Sequence, residues 1–334
     1  MKMNTKKWQI CLLSAFLAVA AVSCVDKKPE PVPEPEPEPV VNPEPDPTPP
    51  PAPEPVKTTL RIMQFNILQS TSETAGHEWT AVRKAPSIKM LQETAPDIIC
   101  LEEARRLQCD DLKSALPEYT QIRFAKDGVL KDGLQESFTT DNFKNGGQRN
   151  VVMFKTDRFE YLDAGRFWFS VDGTASGNRF DDDATTQKLT LFVHLKDKVS
   201  GKDFRVYCTH FFAKCNKEET RANCVRMSLE SMQKEAKENE TVLFCGDLNL
   251  DYKNAEARNT LKPLLDYAGS AALLAKESSG AETTTYNKFG TSTKVLDYIL
   301  LRNASALVYK VVDEDKYGTR YVSDHYPLYA DVEF

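Results

Sequence analysis

The feature that most constrains the fold is a repeated pattern of short apolar runs that each end on a polar side chain. The clearest example is residues 241–252, where the apolar run 241–245 breaks at Gly246 and is followed by Asp247 and Asn249. An apolar run of this length predicts a buried strand. Glycine permits a tight exit from the strand, and α/β proteins commonly bind ligands at the carboxyl ends of strands. One such junction could equally be an ordinary turn, but its recurrence along the chain predicts a common site.

Five further segments repeat this arrangement. In residues 96–103 an apolar run closes on two carboxylates, Glu102 and Glu103. Neighbouring side chains of a strand face opposite sides, so we expect that if Glu103 points into a cleft, Glu102 points elsewhere. An aspartate inside an apolar strand, as at Asp297, is costly unless its carboxylate has a partner. The other examples are Asn66 at the end of a strand over residues 58–66, His210 at the end of residues 203–210, and Asp324 with His325 before the last strand, residues 328–334.

Together these residues form a donor set of oxygen ligands and two imidazoles. Carboxylate and amide oxygens suit Mg²⁺ or Mn²⁺ rather than zinc, and no Cys-X-X-Cys spacing indicates a zinc site. Such a site fits attack of water on phosphorus, because a metal and imidazoles offset charge on the phosphoryl oxygens and a carboxylate orients the water. The predicted donor set comprises Asn66, Glu103, His210, Asp247, Asn249, Asp297, Asp324 and His325. A further histidine, His194, lies in the middle of a strand and is predicted to be structural.

The ordered motifs resemble the endonuclease/exonuclease/phosphatase superfamily, the metal-dependent DNase I-like hydrolases, over nearly all of residues 58–334. The resemblance implies an α/β fold, a four-layer αββα sandwich of two mostly antiparallel sheets flanked by helices. Six ordered motifs together are specific, whereas the Gly-Asp-X-Asn motif alone is weak. The matching segments are the strand end at Asn66, residues 96–103, the strand end at His210, residues 246–249, residues 297–299 and residues 323–325.

The resemblance also implies a role for each matching residue. Glu103 would be the principal metal ligand, with Asn66 in or near its coordination shell and Asp324 at the edge of the metal site. Asp247, assisted by Asn249, would orient or deprotonate the attacking water. Asp297 would hold His325, and His325 would contact the phosphate. His210 would stabilise the scissile phosphate or the leaving group.

The sequence departs from the family pattern at three places. Glu102 stands where the family usually has glutamine. Two phenylalanines, Phe211 and Phe212, follow the strand-end histidine where the family has an aspartate or another polar residue. The tyrosine that some nucleases place between the glutamate and Gly-Asp-X-Asn motifs has no counterpart, and we expect Arg149 and Asn150 to supply the phosphate contacts there.

The substrate is less constrained by the sequence than the chemistry. Residues 163–170 resemble a segment of nuclease-like and deadenylase-like members, which favours nucleic acid. Residues 323–328 also resemble bacterial sphingomyelinases, so a phospholipid or sugar-phosphate hydrolase is the alternative. Two tryptophans typical of inositol-polyphosphate 5-phosphatases are missing, which argues against that activity. A third hypothesis, from another class, is a non-catalytic surface binding module on the same scaffold.

The first part of the chain predicts export and anchoring. Residues 1–23 combine early lysines with an apolar run at residues 10–22 that ends in small residues before Cys24. This pattern resembles a bacterial lipobox and predicts a lipoprotein signal peptide, cleavage before Cys24 and lipidation of its thiol; a plain secretory signal is the alternative. Residues 24–57 are rich in proline and glutamate and predict an extended linker. We therefore expect a membrane-anchored protein of the cell envelope, in the periplasm or on the outer surface of the outer membrane.

Residues 58–334 suit one domain, which we expect to be a monomer. Residues 57–334 hold 38 lysines and arginines against 41 aspartates and glutamates, which excludes a wide basic surface that grips nucleic acid. Helices are predicted near residues 80–93, 105–116 and 218–238. Three cysteines in strand-like runs, Cys100, Cys208 and Cys245, are predicted to pack in the core. Cys215 and Cys224 flank a polar segment and could pair in an oxidising compartment.

Overall fold

The computed structural model describes residues 56–71, 74–125, 128–130, 150–174, 180, 188–215, 217 and 219–334. The predicted signal peptide, Cys24, nearly all of the predicted linker and Arg149 lie outside the described residues. No helix in these described ranges is long and apolar enough to cross a membrane.

The first sheet has eight strands among the described residues. In spatial order the strands are β11 (Glu277–Ser278), β13 (Ser305–Val311), β14 (Leu328–Glu333), β1 (Thr59–Asn66), β2 (Ile98–Glu102), β5 (Val151–Lys155), β3 (Tyr119–Ala125) and β4 (Gly128–Leu130). Neighbouring strands of this sheet are antiparallel except for the parallel pairs β1–β2 and β11–β13.

The second sheet has six strands within the described ranges. In spatial order the strands are β10 (Gly269–Ser270), β12 (Asp297–Arg302), β9 (Thr241–Asp247), β8 (Asp203–His210), β7 (Leu189–Asp197) and β6 (Phe159–Trp168). Neighbouring strands of this sheet are antiparallel except for the parallel pair β8–β9.

Helices follow the strands that carry the polar ends. The α-helices are α1 (Lys84–Thr94), α2 (Arg106–Ala115), α3 (Glu219–Glu235), α4 (Ala255–Tyr267) and the short α5 (Ala271–Leu274). A π-helical turn, Trp79–Arg83, leads into α1, and a 3₁₀ turn covers Lys288–Gly290. The helix predicted near residues 80–93 corresponds to the π-helical turn with α1, and those predicted near residues 105–116 and 218–238 correspond to α2 and α3.

Three apolar cores separate these elements into four layers. Alternation along a strand sends successive side chains to opposite faces, so Ile62 packs between the two sheets while Met63 packs under the helices of the first sheet. The predicted four-layer sandwich of two mostly antiparallel sheets is therefore confirmed. The inter-sheet core includes Cys100, Cys208 and Cys245; the core under α1 and α2 includes Met90, Leu91, Cys109 and Leu112; and the core under α3 and α4 includes Val225, Met232, Leu261 and Leu264.

The strand directions bring the polar strand ends to one edge of the sandwich. In the first sheet, β1 and β2 end side by side, with Asn66 opposite Glu102. In the second sheet, β8 and β9 end side by side, with His210 opposite Asp247, and antiparallel β12 begins at Asp297 opposite Asp247. At the other end of β1 and β14, Thr58 and Phe334 exchange two backbone hydrogen bonds of 2.8 and 3.0 Å.

Candidate active site at one edge of the sandwich

A buried group of two carboxylates and an imidazole lies at the centre of this edge. The Nδ1 atom of His325 lies 2.8 Å from Oδ2 of Asp297, and its Nε2 atom lies 3.7 Å from Oδ2 of Asp247. The three side chains are at most 5% exposed, and one ligand atom from each lies within 4.8 Å of the others. Although burial opposes its charge, the nearby carboxylates of Asp297 and Asp247 raise the pKa of His325 well above its usual value.

Asp297 has the partners that a buried carboxylate requires. Its Oδ1 atom accepts a hydrogen bond from Nε2 of Gln64 at 2.8 Å, while Oδ2 faces His325. The backbone N–H groups of Leu296 and Asp297 both donate to the hydroxyl of buried Thr285, at 2.9 and 3.1 Å. The start of β12 is thereby fixed with both carboxylate oxygens engaged.

Asp247 is held from both sheets. The amide nitrogen of Asn66 donates to its Oδ2 atom at 3.0 Å, and the backbone N–H of Asn249 donates to Oδ1 at 3.0 Å. Asn249 adopts a left-handed conformation with φ of 50°, and its side chain donates to the carbonyl of Phe211. Burial, opposed by His325 and reinforced by Asp297, raises the pKa of Asp247 to about 7.

His210 lies beside Asp247 as a neutral imidazole. Its Nε2 atom is 3.4 Å from Oδ2 of Asp247, and the side chain is 2% exposed. Burial, with help from the charges of Lys188 and His325, lowers the pKa of His210 well below its usual value. Its Nδ1 atom is buried and has no hydrogen-bond partner in the described part of the chain.

Glu103 and Asp324 form a second acidic group on the side of the first sheet. Glu103 leaves β2 with φ of 62°, and the backbone N–H of Gln69 lies 3.4 Å from its carboxylate. Burial, opposed by His325 and reinforced by Glu103, raises the pKa of Asp324. The structure thus brings all eight predicted site residues to one edge. However, the compact group that could hold a metal ion comprises Asp247, Asp297 and His325, without Glu103 or Asp324.

Glu102 points into the space between the two sheets. It is 0% exposed and lies 3.4 Å from the thiol of Cys208. Burial, reinforced by Cys208, Asp297 and Asp247, raises the pKa of Glu102 well above its usual value. A protonated glutamic acid has nearly the shape of glutamine, which explains how Glu102 replaces the expected glutamine.

Two sequence expectations are corrected by the contacts. The amide nitrogen of Asn150 donates to the carbonyls of Leu189 and Cys208 at 2.8 and 2.9 Å. Asn150 therefore ties the two sheets together and does not have its amide hydrogens free for a phosphate. Cys215 and Cys224 are not joined by a disulfide, so the pairing left open by the sequence is not present.

Three residues at this edge were not among those predicted from the sequence. Lys188, which immediately precedes β7, is only 5% exposed, and burial lowers its pKa to about 8 against the opposing charges of Glu103 and Asp247. The ring of Tyr286 lies 4.8 Å from that of His325. Fully buried Arg83 donates to the backbone carbonyls of Ile67, Leu68 and His77. A cation at the start of an apolar strand was the one signal that could have identified Lys188.

An αββα sandwich whose facing sheets bring carboxylates and imidazoles to one edge defines a class of phosphoester hydrolases. The family model described as the Endonuclease/Exonuclease/phosphatase family matches residues 63–325, and the chain belongs to that family. Members of the family are phosphoesterases and typically use a divalent metal. Among proteins of curated function, none matches this sequence.

Solved structures share the fold at low sequence identity. A Bacteroides vulgatus endonuclease/exonuclease/phosphatase is 22% identical, covers 82% of this chain and 98% of its own, and has a TM-score of 0.69. A Bacteroides thetaiotaomicron mannosyl-6-phosphatase is 20% identical, covers 82% and 100%, and has a TM-score of 0.67. TDP2 from D. rerio, solved with a single-strand DNA product, is 18% identical, covers 82% and 99%, and has a TM-score of 0.60.

Proposed function

We propose that the protein is a divalent-metal-dependent phosphodiester hydrolase that acts on nucleic acid. The observation that carries the proposal is the buried Asp247–Asp297–His325 group, with Glu103 and Asp324 beside it at the same edge. So many charged groups are costly to bury unless they bind a charged ligand. A phosphodiester with its cation supplies both signs of charge at once.

Asp247 is the group that orients the attacking water and accepts its proton. Hydrogen bonds from Asn66 and from the backbone of Asn249 fix its carboxylate between the two sheets. A general base works best when its pKa lies near the working pH, and the pKa of Asp247 is raised to about 7.

His325 is the group that binds the phosphoryl oxygens. Asp297 holds its Nδ1 atom, which leaves Nε2 directed toward Asp247 and the substrate. The raised pKa keeps this imidazole positively charged, so it can donate to an oxygen on which negative charge develops. Lys188 supplies a second cation, whose charge acts on neutral His210.

Glu103 and Asp324 are the residues that would hold Mg²⁺ or Mn²⁺, with Asn66 nearby. Asp297 is a poorer ligand, because Gln64 and His325 already engage its two oxygens. Glu103 and Asp324 offer carboxylate oxygens, the donors that these cations prefer. When bound, the metal supplies positive charge to the phosphoryl oxygens.

Nucleic acid is the leading substrate, and TDP2 shows that a protein of this fold can hold single-strand DNA. A sugar phosphate is the second candidate because of a cavity of about 690 Å³ that opens beside Asn249. Asp251, Glu256 and Lys294 are among its polar lining residues, and such groups can bind hydroxyls. The mannosyl-6-phosphatase of the same fold is consistent with that candidate.

A side-by-side assay tests the proposal. The purified protein with Mg²⁺ is expected to cleave single-stranded DNA, RNA or duplex DNA, to lose this activity in EDTA, and to regain it with Mg²⁺ or Mn²⁺. Asp247→Asn serves as the blank, because it removes the carboxylate with little change in volume. Turnover confined to sphingomyelin or to sugar phosphates would replace nucleic acid by those substrates. The non-catalytic binding module would be favoured by two results together: no turnover of any substrate, and no Mg²⁺ binding that depends on Glu103, as judged by comparing the wild type with Glu103→Ala.

We also propose that the protein is anchored to the cell envelope through a lipid on Cys24. The support is the apolar run before that cysteine and the proline-rich linker after it. Cys24→Ser is expected to yield an unlipidated precursor or a soluble protein, because the thiol is the attachment point. Metabolic labelling with a clickable fatty acid checks this, and equal labelling of the variant and the wild type would rule the anchor out.

A further inference from the structure

Four aromatic side chains, which we call the aromatic ridge, lie in contact at the rim of the candidate site. His77 stacks on Phe289 with ring centroids 3.7 Å apart and planes 9° from parallel. Tyr321 meets Phe289 edge-on at 6.2 Å and lies 6.1 Å from Tyr326. All four rings are partly exposed; Tyr326 packs against the inter-sheet core, whereas His77, Phe289 and Tyr321 belong to none of the three apolar cores.

The backbone that carries Phe289 is in an unfavourable conformation. Lys288, Phe289 and Gly290 have consecutive φ values of 43°, 53° and 90°, in the left-handed region that non-glycine residues avoid. Strain of this kind persists only where the surroundings impose it, and it is concentrated at functional sites. No residue of this turn is buried, so core packing does not explain the conformation.

Buried Asn287 imposes this conformation. Its side-chain oxygen accepts from the backbone N–H of Phe289 at 2.8 Å, and its carbonyl accepts from Gly290 at 2.9 Å. Its side-chain nitrogen donates to the carbonyl of Ser323 at 3.3 Å. The turn is thus tied to the segment that carries Asp324 and His325.

Further contacts fix the ridge relative to the catalytic group. The backbone N–H groups of Asn287 and Lys288 both donate to the carbonyl of Asp324, at 2.9 Å each. Tyr286 pairs with His325 in an antiparallel bridge and packs its ring 4.8 Å from the imidazole. The turn that carries Phe289 is therefore tied directly to the segment that carries Asp324 and His325.

We propose that the aromatic ridge stacks a nucleobase of the nucleotide next to the scissile phosphate. This inference rests on the proposed nucleic-acid hydrolysis and adds how the substrate is held. The domain is nearly neutral, so few phosphate contacts contribute to affinity, and base stacking supplies binding that does not depend on them. Exposed Lys288 and Arg320 flank the ridge, and Arg320 lies 5.7 Å from the centre of the Tyr321 ring, an arrangement suited to a base with its phosphate.

The ridge differs in character from the cavity beside Asn249. Among the described residues, those that line that cavity include no aromatic ring, whereas the ridge is built of rings. Hydroxyl-rich groups suit the cavity, and a planar base suits the ridge. A nucleotide substrate is therefore expected to use the ridge for its base.

The test uses a dinucleotide, because its single phosphodiester makes the scissile bond unambiguous. Thymidylyl-thymidine is compared with two analogues that each lack one base. Stacking of one base corresponds to roughly a tenfold to hundredfold preference in kcat/KM for the complete dinucleotide over one analogue. Phe289→Leu and Tyr321→Leu are expected to lose this preference without slowing the analogue, and Tyr321→Phe is expected to retain it. Equal turnover of all three substrates by the wild type, or equal slowing of all three by the leucine variants, would overturn the proposal.

A binding readout separates the ridge from catalysis. An oligonucleotide containing 2-aminopurine loses fluorescence when that base stacks on an aromatic ring, and the measurement can use inactive Asp247→Asn. Quenching that disappears in Asp247→Asn combined with Tyr321→Leu supports the ridge even if the wild type cleaves no nucleic acid. Absence of quenching in Asp247→Asn refutes the ridge, whatever the outcome of the cleavage assay.

Discussion

The Nδ1 atom of His325 and the Oδ2 atom of Asp297 lie 2.8 Å apart, although 28 residues separate them in the chain. This contact fixes which imidazole nitrogen faces the substrate, and it raises the pKa of His325. Asp297→Asn is expected to present an N–H to Nδ1 and to remove the charge that keeps the imidazole protonated. We expect kcat to fall by roughly 10²- to 10⁴-fold. Steady-state kinetics check this, with unchanged circular dichroism as the control; a kcat close to that of the wild type would contradict the assigned role.

Adjacent Glu102 and Glu103 are expected to respond in opposite ways to the same substitution. Burial raises the pKa of Glu102, so the carboxyl is protonated and Glu102→Gln replaces it by a group of the same shape. We expect its free energy of unfolding to stay within about 1 kcal/mol of the wild type, with activity retained. Glu103→Gln removes a proposed metal ligand and is expected to abolish Mg²⁺-dependent activity. Urea denaturation and kinetics on both variants test the contrast, which fails if Glu102→Gln is the more damaging change.

Asp247 is expected to make the metal-free protein less stable as the pH rises. Asp247 has an ordinary pKa of 3.8 and a folded pKa of about 7, so folding favours its protonated form. That contribution is complete below pH 3.8 and is lost as the pH rises to about 7. The raised pKa of His325 acts in the same direction, at pH values above the ordinary pKa of 6.5.

Asp247→Asn removes this titration and is expected to flatten the curve. One group contributes a slope of at most about 1.4 kcal/mol per pH unit. Melting temperatures in EDTA between pH 4 and 8 provide the measurement, and the difference between the two proteins isolates Asp247 from other carboxylates. Parallel curves for the two proteins would show that Asp247 titrates normally.

Arg83 is expected to stabilise the loops on the acidic side of the site. Its fully buried guanidinium donates to the carbonyls of Ile67, Leu68 and His77 at 2.6, 3.1 and 2.6 Å. Arg83→Met leaves these acceptors without a donor and is expected to lower the free energy of unfolding by roughly 3 kcal/mol, with a loss of kcat/KM. Exposed Arg106, whose pair with Asp110 joins neighbouring helical turns, is the matched control, and Arg106→Met is expected to change little. Equal effects of the two substitutions would contradict this role.

The strand ends were predictable because their signal is local. An apolar run that ends at Asp247 or at His210 predicts both the strand and the residue where it ends. Since parallel neighbours end at the same edge, the convergence of these residues also followed from the pattern. Strand alternation led to the expectation that Glu102 points elsewhere if Glu103 points into a cleft. In the structure Glu102 is fully buried, whereas Glu103 leaves the strand in a left-handed conformation.

The remaining site residues carry no local signal. Arg83 acts from within a helical segment on carbonyls that belong to other parts of the chain, which periodicity cannot reveal. Tyr286 reaches His325 through an isolated antiparallel bridge between two segments that are distant in the chain. Asn150 begins a strand in the same way as a site residue would, but its side chain bridges the two sheets. Whether a polar side chain at a strand end faces a cleft or a neighbouring sheet depends on tertiary packing.

The paired ends of the domain have a consequence for how the protein can be attached or rearranged. Thr58 and Phe334 are hydrogen-bonded to each other, and β1 runs from Thr59, next to this pair, to Asn66 at the site, about 23 Å at the rise of a β-strand. Immobilisation or fusion through either terminus therefore leaves the reactive edge facing solution. A short peptide that joins the two ends would also permit circular permutation, with new termini opened in a loop on the surface, without moving any group that touches the substrate.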